Sequence, residues 1–336
     1  MDKLIRTRPN PNCPLCDNPG ERLYSCLHDR LFGAQGEWSI SRCKSTGCGL
    51  VWLDPRPLED DIYKAYATYY THSTPGGVRS LRSRFLSTMF GWLVNVLSNL
   101  NGLTNERRDL ADMHLNELPP GRLLEIGCGD GQFLDRMKGF GWTVEGVDFD
   151  AKAADAAKEK FGIDVKVGRL EEMRYPDGSF DAVTMRHVIE HVFDPIATMR
   201  EVRRILKPGG IVVVLTPNAD SLGLRTYGPN WRGLEPPRHI HIFTPRTLDH
   251  VASKAGLETV RAYSTAVNAW VTLLASMLLA ENKSSTCLNP SKPSVRMILR
   301  TLALHYREAR MNASTKLDGE ECVLLARNGT IFANKK

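Results

Sequence analysis

Two residue patterns in this chain bring ligating or ligand-contacting groups close together along the sequence. The first is a run of thiols: five of the eight cysteines lie within the first 48 residues. Cys13-Pro-Leu-Cys16 forms a tight knuckle and Cys43-Lys-Ser-Thr-Gly-Cys48 a wider one. Thiolates at these spacings can reach one tetrahedral ion, and soft sulfur favours zinc. In a reducing compartment such clustering favours metal over disulfides. Four sulfurs close the coordination sphere, so Cys13, Cys16, Cys43 and Cys48 are expected to hold a structural zinc. Cys26 and His28 are substitutes should the wider knuckle be misread.

The second pattern is a glycine loop, Gly127-Cys-Gly-Asp-Gly131, directly after the apolar run Arg122 to Ile126. Glycines there let backbone approach a ligand closely, and Asp148, 21 residues beyond Gly127, stands where an acid usually holds ribose hydroxyls. A dinucleotide and an adenosyl ligand both suit this much. The dinucleotide fingerprint needs a glycine at 132, where this chain has Gln132. A pyrophosphate would also sit beside Glu125 and Asp130, whose carboxylates repel phosphate and suit a cation. S-adenosylmethionine, with its ribose, sulfonium and ammonium, is therefore expected over a nicotinamide, and a nucleotide-sugar oxidoreductase is the reading that Gln132 opposes.

Methyl transfer from a sulfonium is an in-line displacement that depends on alignment and exclusion of water. A hydroxyl or acidic-carbon acceptor would use a base of near-neutral pKa, for which histidine is the natural residue. His239 and His187 are the candidate bases. His187 and His191, four apart, are expected on one helical face after the fourth strand. Alternation would aim His239 and His241 to one side. Arg238 could hold a phosphate or carboxylate, and Tyr227 and Trp231 could wall the acceptor. The plainer readings are packing for His187 and a loop anchor for His239.

These residues need elements to place them. Residues 1–57 read as a zinc-ribbon region with strands Trp38 to Arg42 and Leu50 to Leu53, whose small apolar area leaves the ion to supply much of the folding free energy. Residues 58–120 read as a helical linker or lid. Within it Phe85 to Leu103 is strongly apolar and follows Arg79, Arg82 and Arg84, which suits either an interfacial helix in peripheral membrane contact or a helix covering the next domain. From 121 to 336, strands Arg122 to Ile126, Thr143 to Val147, Val165 to Val167, Phe180 to Met185 and Ile211 to Leu215 alternate with helices. One helix runs from Asp150 to Phe161, and another from Asp194-Pro195 to a stop at Pro208-Gly-Gly210. That alternation is the signature of an α/β, doubly wound parallel sheet.

The 336 residues suffice for two or three domains. Hydrophobic residues at 42% and charged ones at 24% exclude collagen-like, coiled-coil and wholly disordered chains. The net charge of +6 is scattered, so no nucleic-acid partner is expected. The longest nearly unbroken apolar run, Trp270 to Ala280, is well short of the roughly 20 residues of a spanning helix. The first ten residues run into Pro9 and Pro11 rather than an apolar stretch and do not read as a secretory signal, so a cytoplasmic protein is expected.

Leu124-Glu-Ile-Gly-Cys-Gly-Asp-Gly131, Gly146-Val-Asp-Phe-Asp150, Phe180-Asp-Ala-Val-Thr-Met-Arg-His-Val-Ile-Glu-His-Val192 and Leu206-Lys-Pro-Gly-Gly210 follow one another in order. Together they resemble the successive motifs of class I S-adenosylmethionine-dependent methyltransferases, over about Gly121 to Asn218. The resemblance implies a Rossmann-like, seven-stranded sheet whose last strand, Glu321 to Ala326, returns antiparallel. It implies a cofactor site drawn from Glu125, Gly127, Cys128, Gly129, Gly131, Asp148, Phe149, Arg169, Leu170 and Arg186. In that site the glycine loop packs on the methionine part, Asp148 binds the ribose and Phe149 lies near the adenine. The acidic adenine contact of many relatives has no clear counterpart in Gly168-Arg-Leu-Glu171, so the backbone of Arg169 and Leu170 would replace it.

The cysteine-rich leader with Leu50-Val-Trp-Leu-Asp-Pro-Arg-Pro57, together with Trp231 to Phe243, is similar to a bacterial subgroup with an N-terminal zinc-binding region. That subgroup includes sugar C-methyltransferases and proteins of surface-polysaccharide or natural-product assembly. The implied function is methyl transfer to a small-molecule or glycan-linked acceptor, with a sugar or polysaccharide precursor favoured. A quinone-type O-methyltransferase is the alternative within the class, and a zinc-ribbon module acting on nucleic acid or protein the alternative outside it.

Overall fold

The computed structural model describes residues 4–67, 96, 99, 101–281 and 293–329. The chain packs as two compact units, each discontinuous in sequence. One comprises Met1–Arg108, Pro217–Thr244 and Ser264–Cys322, the other Asp109–Thr216, Pro245–Tyr263 and Val323–Lys336. Boundaries at 57/58 and 120/121 would instead cut the chain into contiguous pieces. Local composition carries no trace of segments that return to an earlier unit.

In the first unit β1 (Gly20–Leu27), β2 (Trp38–Cys43), β3 (Val51–Leu53) and the two-residue strand His241–Ile242 form an antiparallel sheet in that order. Trp38, Ile40 and Cys43 of β2 are buried, as are all three residues of β3. The segment after β3, expected to be helical, opens as a 3-10 turn, Glu59–Tyr66. The apolar stretch Phe85 to Leu103 lies outside the described residues except at 96, 99 and 101–103.

A buried charge network holds this unit together. Arg238, expected to meet a ligand anion, is wholly enclosed. Its guanidinium forks onto Asp29 with two bonds of 2.9 Å, reaches Glu235 at 2.8 Å and the Ala65 carbonyl at 2.9 Å, and lies over the Phe32 ring. Asp29 also accepts the backbone amides of Leu31, Phe32 and Ala34, so one carboxylate fixes a whole turn. Trp231 and Tyr227 are packed inside the same unit instead of lining an acceptor site. The Trp231 indole N–H donates to Glu320 at 2.7 Å.

The second unit carries the seven-stranded sheet. Its strands are β4 (Arg122–Ile126), β5 (Thr143–Asp148), β6 (Val165–Val167), β7 (Phe180–Arg186), β8 (Leu206–Pro217), β9 (Glu258–Thr265) and β10 (Glu321–Arg327). Their order is β6-β5-β4-β7-β8-β10-β9, and the five from β6 to β8 are parallel. The winding reverses between β4 and β7, which opens a crevice at their carboxyl ends.

Helices α1 (Gln132–Gly139), α2 (Ala151–Phe161), α3 (Pro195–Ile205) and α4 (Pro245–Lys254) connect these strands. Asp150 caps α2 through the Lys152 amide and Gly162 closes it in the left-handed region. Helix α3 ends at Ile205, three residues before Pro208-Gly-Gly210. Leu206 already pairs with Phe180, and the Pro-Gly-Gly stretch falls in a register shift before Ile211.

Removing the Arg238 guanidinium strands Asp29 and Glu235 in the interior, which costs about 3 kcal/mol or more. Arg238→Ala should lower the urea midpoint of the first unit accordingly. Arg327→Ala, which breaks an exposed pair with Glu258, should change stability by less than about 1 kcal/mol.

Candidate functional site

The crevice is built on the loop between β4 and α1. Gly127, Gly129 and Gly131 all have positive φ, at 68°, 55° and 79°. A Cβ at Gly127 would run into Val188, and one at Gly131 would lie 3.0 Å from the Ala157 methyl. A Cβ at Gly129 would meet nothing within 4 Å. The outer glycines are thus demanded by packing, and the middle one faces open space. The Gly127 amide donates to the Val147 carbonyl at 2.7 Å, so the loop continues the ladder of β5 for one step before turning away.

Asp148, at the end of β5, is buried and pins this loop. One carboxylate oxygen accepts the Gly129 amide at 2.8 Å, the other the Asp150 amide at 2.9 Å. Phe149 beside it is 56% exposed, unusual for so large an apolar ring. The pinned carboxylate, the open Gly129 backbone and the exposed ring form one surface at the end of β4 and β5. It is the kind of surface that can take a ribose and an aromatic base.

The acids read as lining the crevice are each matched by a partner. Glu125 is wholly buried, and Arg186 donates to its Oε1 through Nε at 2.8 Å and Nη2 at 2.7 Å. Burial pushes the Glu125 carboxyl up to about 7, against the opposing pull of Arg186. Its Oε2 is buried and makes no hydrogen bond among the described residues. Arg186 also lies over the Phe133 ring at 4.3 Å. Asp130 pairs with Lys160 at 2.8 Å. The expectation of bare carboxylates facing a ligand is corrected accordingly: what remains is one orphaned oxygen on Glu125, suited to a donor.

Two further expectations change. The Cys128 thiol packs inward in a cluster with Leu134 and Ile163, and burial raises its pKa, so only its backbone could touch a ligand. The Arg169 amide already donates to Glu172 at 3.0 Å and is not available to an adenine. Leu170 is buried at the start of a 3-10 turn.

His187 and His191 do not share a helical face. His187 has φ of 55° and donates its amide to Leu215 at 2.8 Å, so it sits in a strained turn between β7 and a short 3-10 segment, Ile189–His191. Its ring is 47% exposed, with Nδ1 3.4 Å from Oε1 of the buried Glu190, and Glu190 accepts the Thr216 hydroxyl at 2.8 Å. Glu190 was missed in the sequence because helical spacing places it off the histidine stripe, whereas the tight turn brings it back. His239 belongs to the other unit. It is buried, its Nδ1 donates to the Gly233 carbonyl at 2.7 Å, and its Nε2 lies 3.7 Å from Glu235.

In the first unit the sulfurs of Cys13, Cys16, Cys43 and Cys48 all lie within 4.8 Å of one another. The Cys13–Cys48 and Cys16–Cys43 separations are 3.7 Å and 3.4 Å. Backbone amides of Leu15 and Cys16 face Cys13, that of Ser45 faces Cys43 and that of Leu50 faces Cys48. Cys48 is held down to about 5, chiefly by the Cys13 thiol, while Cys13 is pushed up by the same contact. Cys26 is exposed and outside the cluster, and His28 bonds to the Gly36 carbonyl at 3.1 Å, so neither substitute is used.

Residues 104–262 match a family described as "Methyltransferase domain". A ubiquinone biosynthesis O-methyltransferase of Thiobacillus denitrificans is 34% identical over 151 residues, which are 41% of this chain and 65% of that protein. The enzyme of the same name from Cereibacter sphaeroides is 34% identical over 150 residues, 41% of this chain and 61% of that protein. The chain thus spans just under two thirds of the length of these curated relatives. Among solved structures, a SAM-dependent methyltransferase from Archaeoglobus fulgidus aligns at a TM-score of 0.43 and 20% identity, over 66% of this chain and 94% of that one. With the β4 loop, the Asp148 tie and the sheet order in place, the match supports a class I S-adenosylmethionine-dependent methyltransferase domain over residues 104–262.

Proposed function

We propose that the protein transfers a methyl group from S-adenosylmethionine to a hydroxyl of a small-molecule acceptor. The names of the relatives favour a phenolic acceptor of the quinone-precursor type. The observation that carries the reading is the open backbone at Gly129, pinned by Asp148 and flanked by the exposed ring of Phe149. Gly127, Gly129 and Gly131 would give the donor its close backbone approach, Asp148 would hold the ribose, and Phe149 would cover the base. The orphaned oxygen of Glu125 would accept from the donor's ammonium. When bound, S-adenosylmethionine supplies a methyl group already activated on a sulfonium. The protein's own part is to align the acceptor, exclude water and take up the hydroxyl proton.

His187 is the candidate for that proton. It is half-exposed at the carboxyl end of β7, and Glu190 lies where it can steady the ring through Nδ1 and leave Nε2 to act. His239, buried and bonded to a loop carbonyl, is the second candidate. The sugar or glycan-linked acceptor has no support from the relatives' names and is retained as an arm of the assay.

For the first unit we propose a structural zinc held by Cys13, Cys16, Cys43 and Cys48. A tetrahedral tetrathiolate with Zn–S bonds of about 2.3 Å has sulfur–sulfur edges of about 3.8 Å, close to the separations found here. The backbone amides directed at the sulfurs suit thiolate ligands.

Incubation with methyl-labelled donor should label a catechol-type phenol and leave nucleotide sugars unlabelled; the reverse would overturn the acceptor class. Asp148→Ala should weaken binding of S-adenosylhomocysteine at least about tenfold by losing both the loop tie and the ribose contact, at about 1.4 kcal/mol per tenfold. Unchanged affinity would refute the assignment.

The Glu125 carboxyl, raised in the folded state, keeps its proton to higher pH than in the unfolded chain. Its contribution to stability is therefore full below about pH 4.5 and lost as pH climbs through about 7. Between pH 5 and 8 the stability of Glu125→Gln should gain on the unsubstituted protein by up to about 3 kcal/mol, measured by urea unfolding. Elemental analysis should find about one zinc per chain, absent from Cys13→Ser. A metal-free protein with an intact N-terminal sheet would contradict the zinc proposal.

A further inference from the structure

Two helices of the first unit pack together, α5 (Ala269–Glu281) and α6 (Val295–Thr315). Helix α6 has its polarity reversed. Its inward face carries Thr301, His305, Glu308 and Asn312 among Met297, Leu302 and Ala309, all buried. Asn312 is anchored to Ser264 by two hydrogen bonds, and burial holds the Glu308 carboxyl well above the usual range. The only acid of the helix is thus turned inside.

The outward face holds what a soluble helix would normally bury. Val295 is 66% exposed, Leu299 60% and Tyr306 44%. At 3.6 residues per turn these three fall within an arc of about 40°. Arg296, Arg300, Arg307 and Arg310 are all exposed and occupy the adjoining arc of about 80°. Among the described residues none of these four arginines makes an ion pair or hydrogen bond. Arg22, Arg42, Arg122, Arg136, Arg204, Arg225 and Arg327 each pair with a carboxylate. A merely solvated face would mix both signs of charge and show fewer large apolar side chains.

We propose that this face of α6 docks on a bilayer rich in anionic phospholipid. The Val295–Leu299–Tyr306 stripe would enter the boundary between headgroups and acyl chains, and the guanidiniums would bind lipid phosphates. The arrangement is one of lying on a membrane, since no described helix is long and apolar enough to cross one. A second copy of the chain fits poorly, because a two-fold contact would set arginine against arginine. Nucleic acid would use the cations and leave the apolar stripe in water. The inference holds whatever the methyl acceptor is.

The test is co-sedimentation of the full chain with phosphatidylcholine vesicles, with and without about one third phosphatidylglycerol. The protein should partition onto the anionic vesicles alone, and less as salt rises. At about fivefold per arginine, R296Q/R300Q should cut that partitioning roughly 25-fold. Leu299→Gln should weaken it without altering the salt dependence. Since all three residues are exposed, the circular dichroism and melting temperature of the variants should match those of the parent. Failure to bind, equal binding to neutral vesicles, undiminished binding by R296Q/R300Q, or recovery of the protein on heparin or duplex DNA but not on vesicles would each overturn the proposal.

Discussion

The tie between Asp148 and the Gly129 amide is the interaction on which the site depends. A loop with three glycines in the left-handed region has much conformational freedom to lose on folding. Val188 and Ala157 crowd its first and third glycines, which fixes the path at both ends. The middle of the loop has no such wall, and the carboxylate at the end of β5 holds it in place. Order there is bought with a buried charge satisfied by two backbone amides, one on each oxygen. The result is a half-buried stretch of backbone tied at its middle by Asp148, and a loop held in place before binding has a smaller ordering cost.

Charge in the crevice works differently from what a count of acids suggests. Glu125, Asp130 and Asp148 read along the sequence as an anionic lining, yet Arg186, Lys160 and two backbone amides answer them. Discrimination against a pyrophosphate rests instead on shape: Gln132 stands where the dinucleotide loop needs a third close-packed glycine. What persists of the electrostatic argument is the unmatched Oε2 of Glu125, buried in a place where burial alone disfavours its charge. A cationic donor would relieve that cost, and an anionic one would raise it.

Much of this was legible in the residues. Period-two and period-3.6 patterns located β4 to β7 and α2, because those elements are stabilised by the faces they present within a few residues. The cysteine knuckles were legible for the same reason, as each is a local turn. The partners of Arg238 and Glu125 were not. Asp29 lies 209 residues from Arg238 and Arg186 lies 61 from Glu125, and no local rule chooses between them and the other charged residues. The turn at His187 was also hidden, since a non-glycine residue with positive φ is disfavoured and is held by the packing around it. Strand β9 carries no clear signal in its residues, and the return of four segments to an earlier unit leaves no mark on composition.

A crystal of the protein soaked with S-adenosylhomocysteine would show directly whether the donor lies on this loop. Difference density should follow the loop across Gly129, with the ribose against Asp148 and the base against Phe149. Density elsewhere, or an empty loop at saturating ligand, would contradict the assignment of this surface as the donor site.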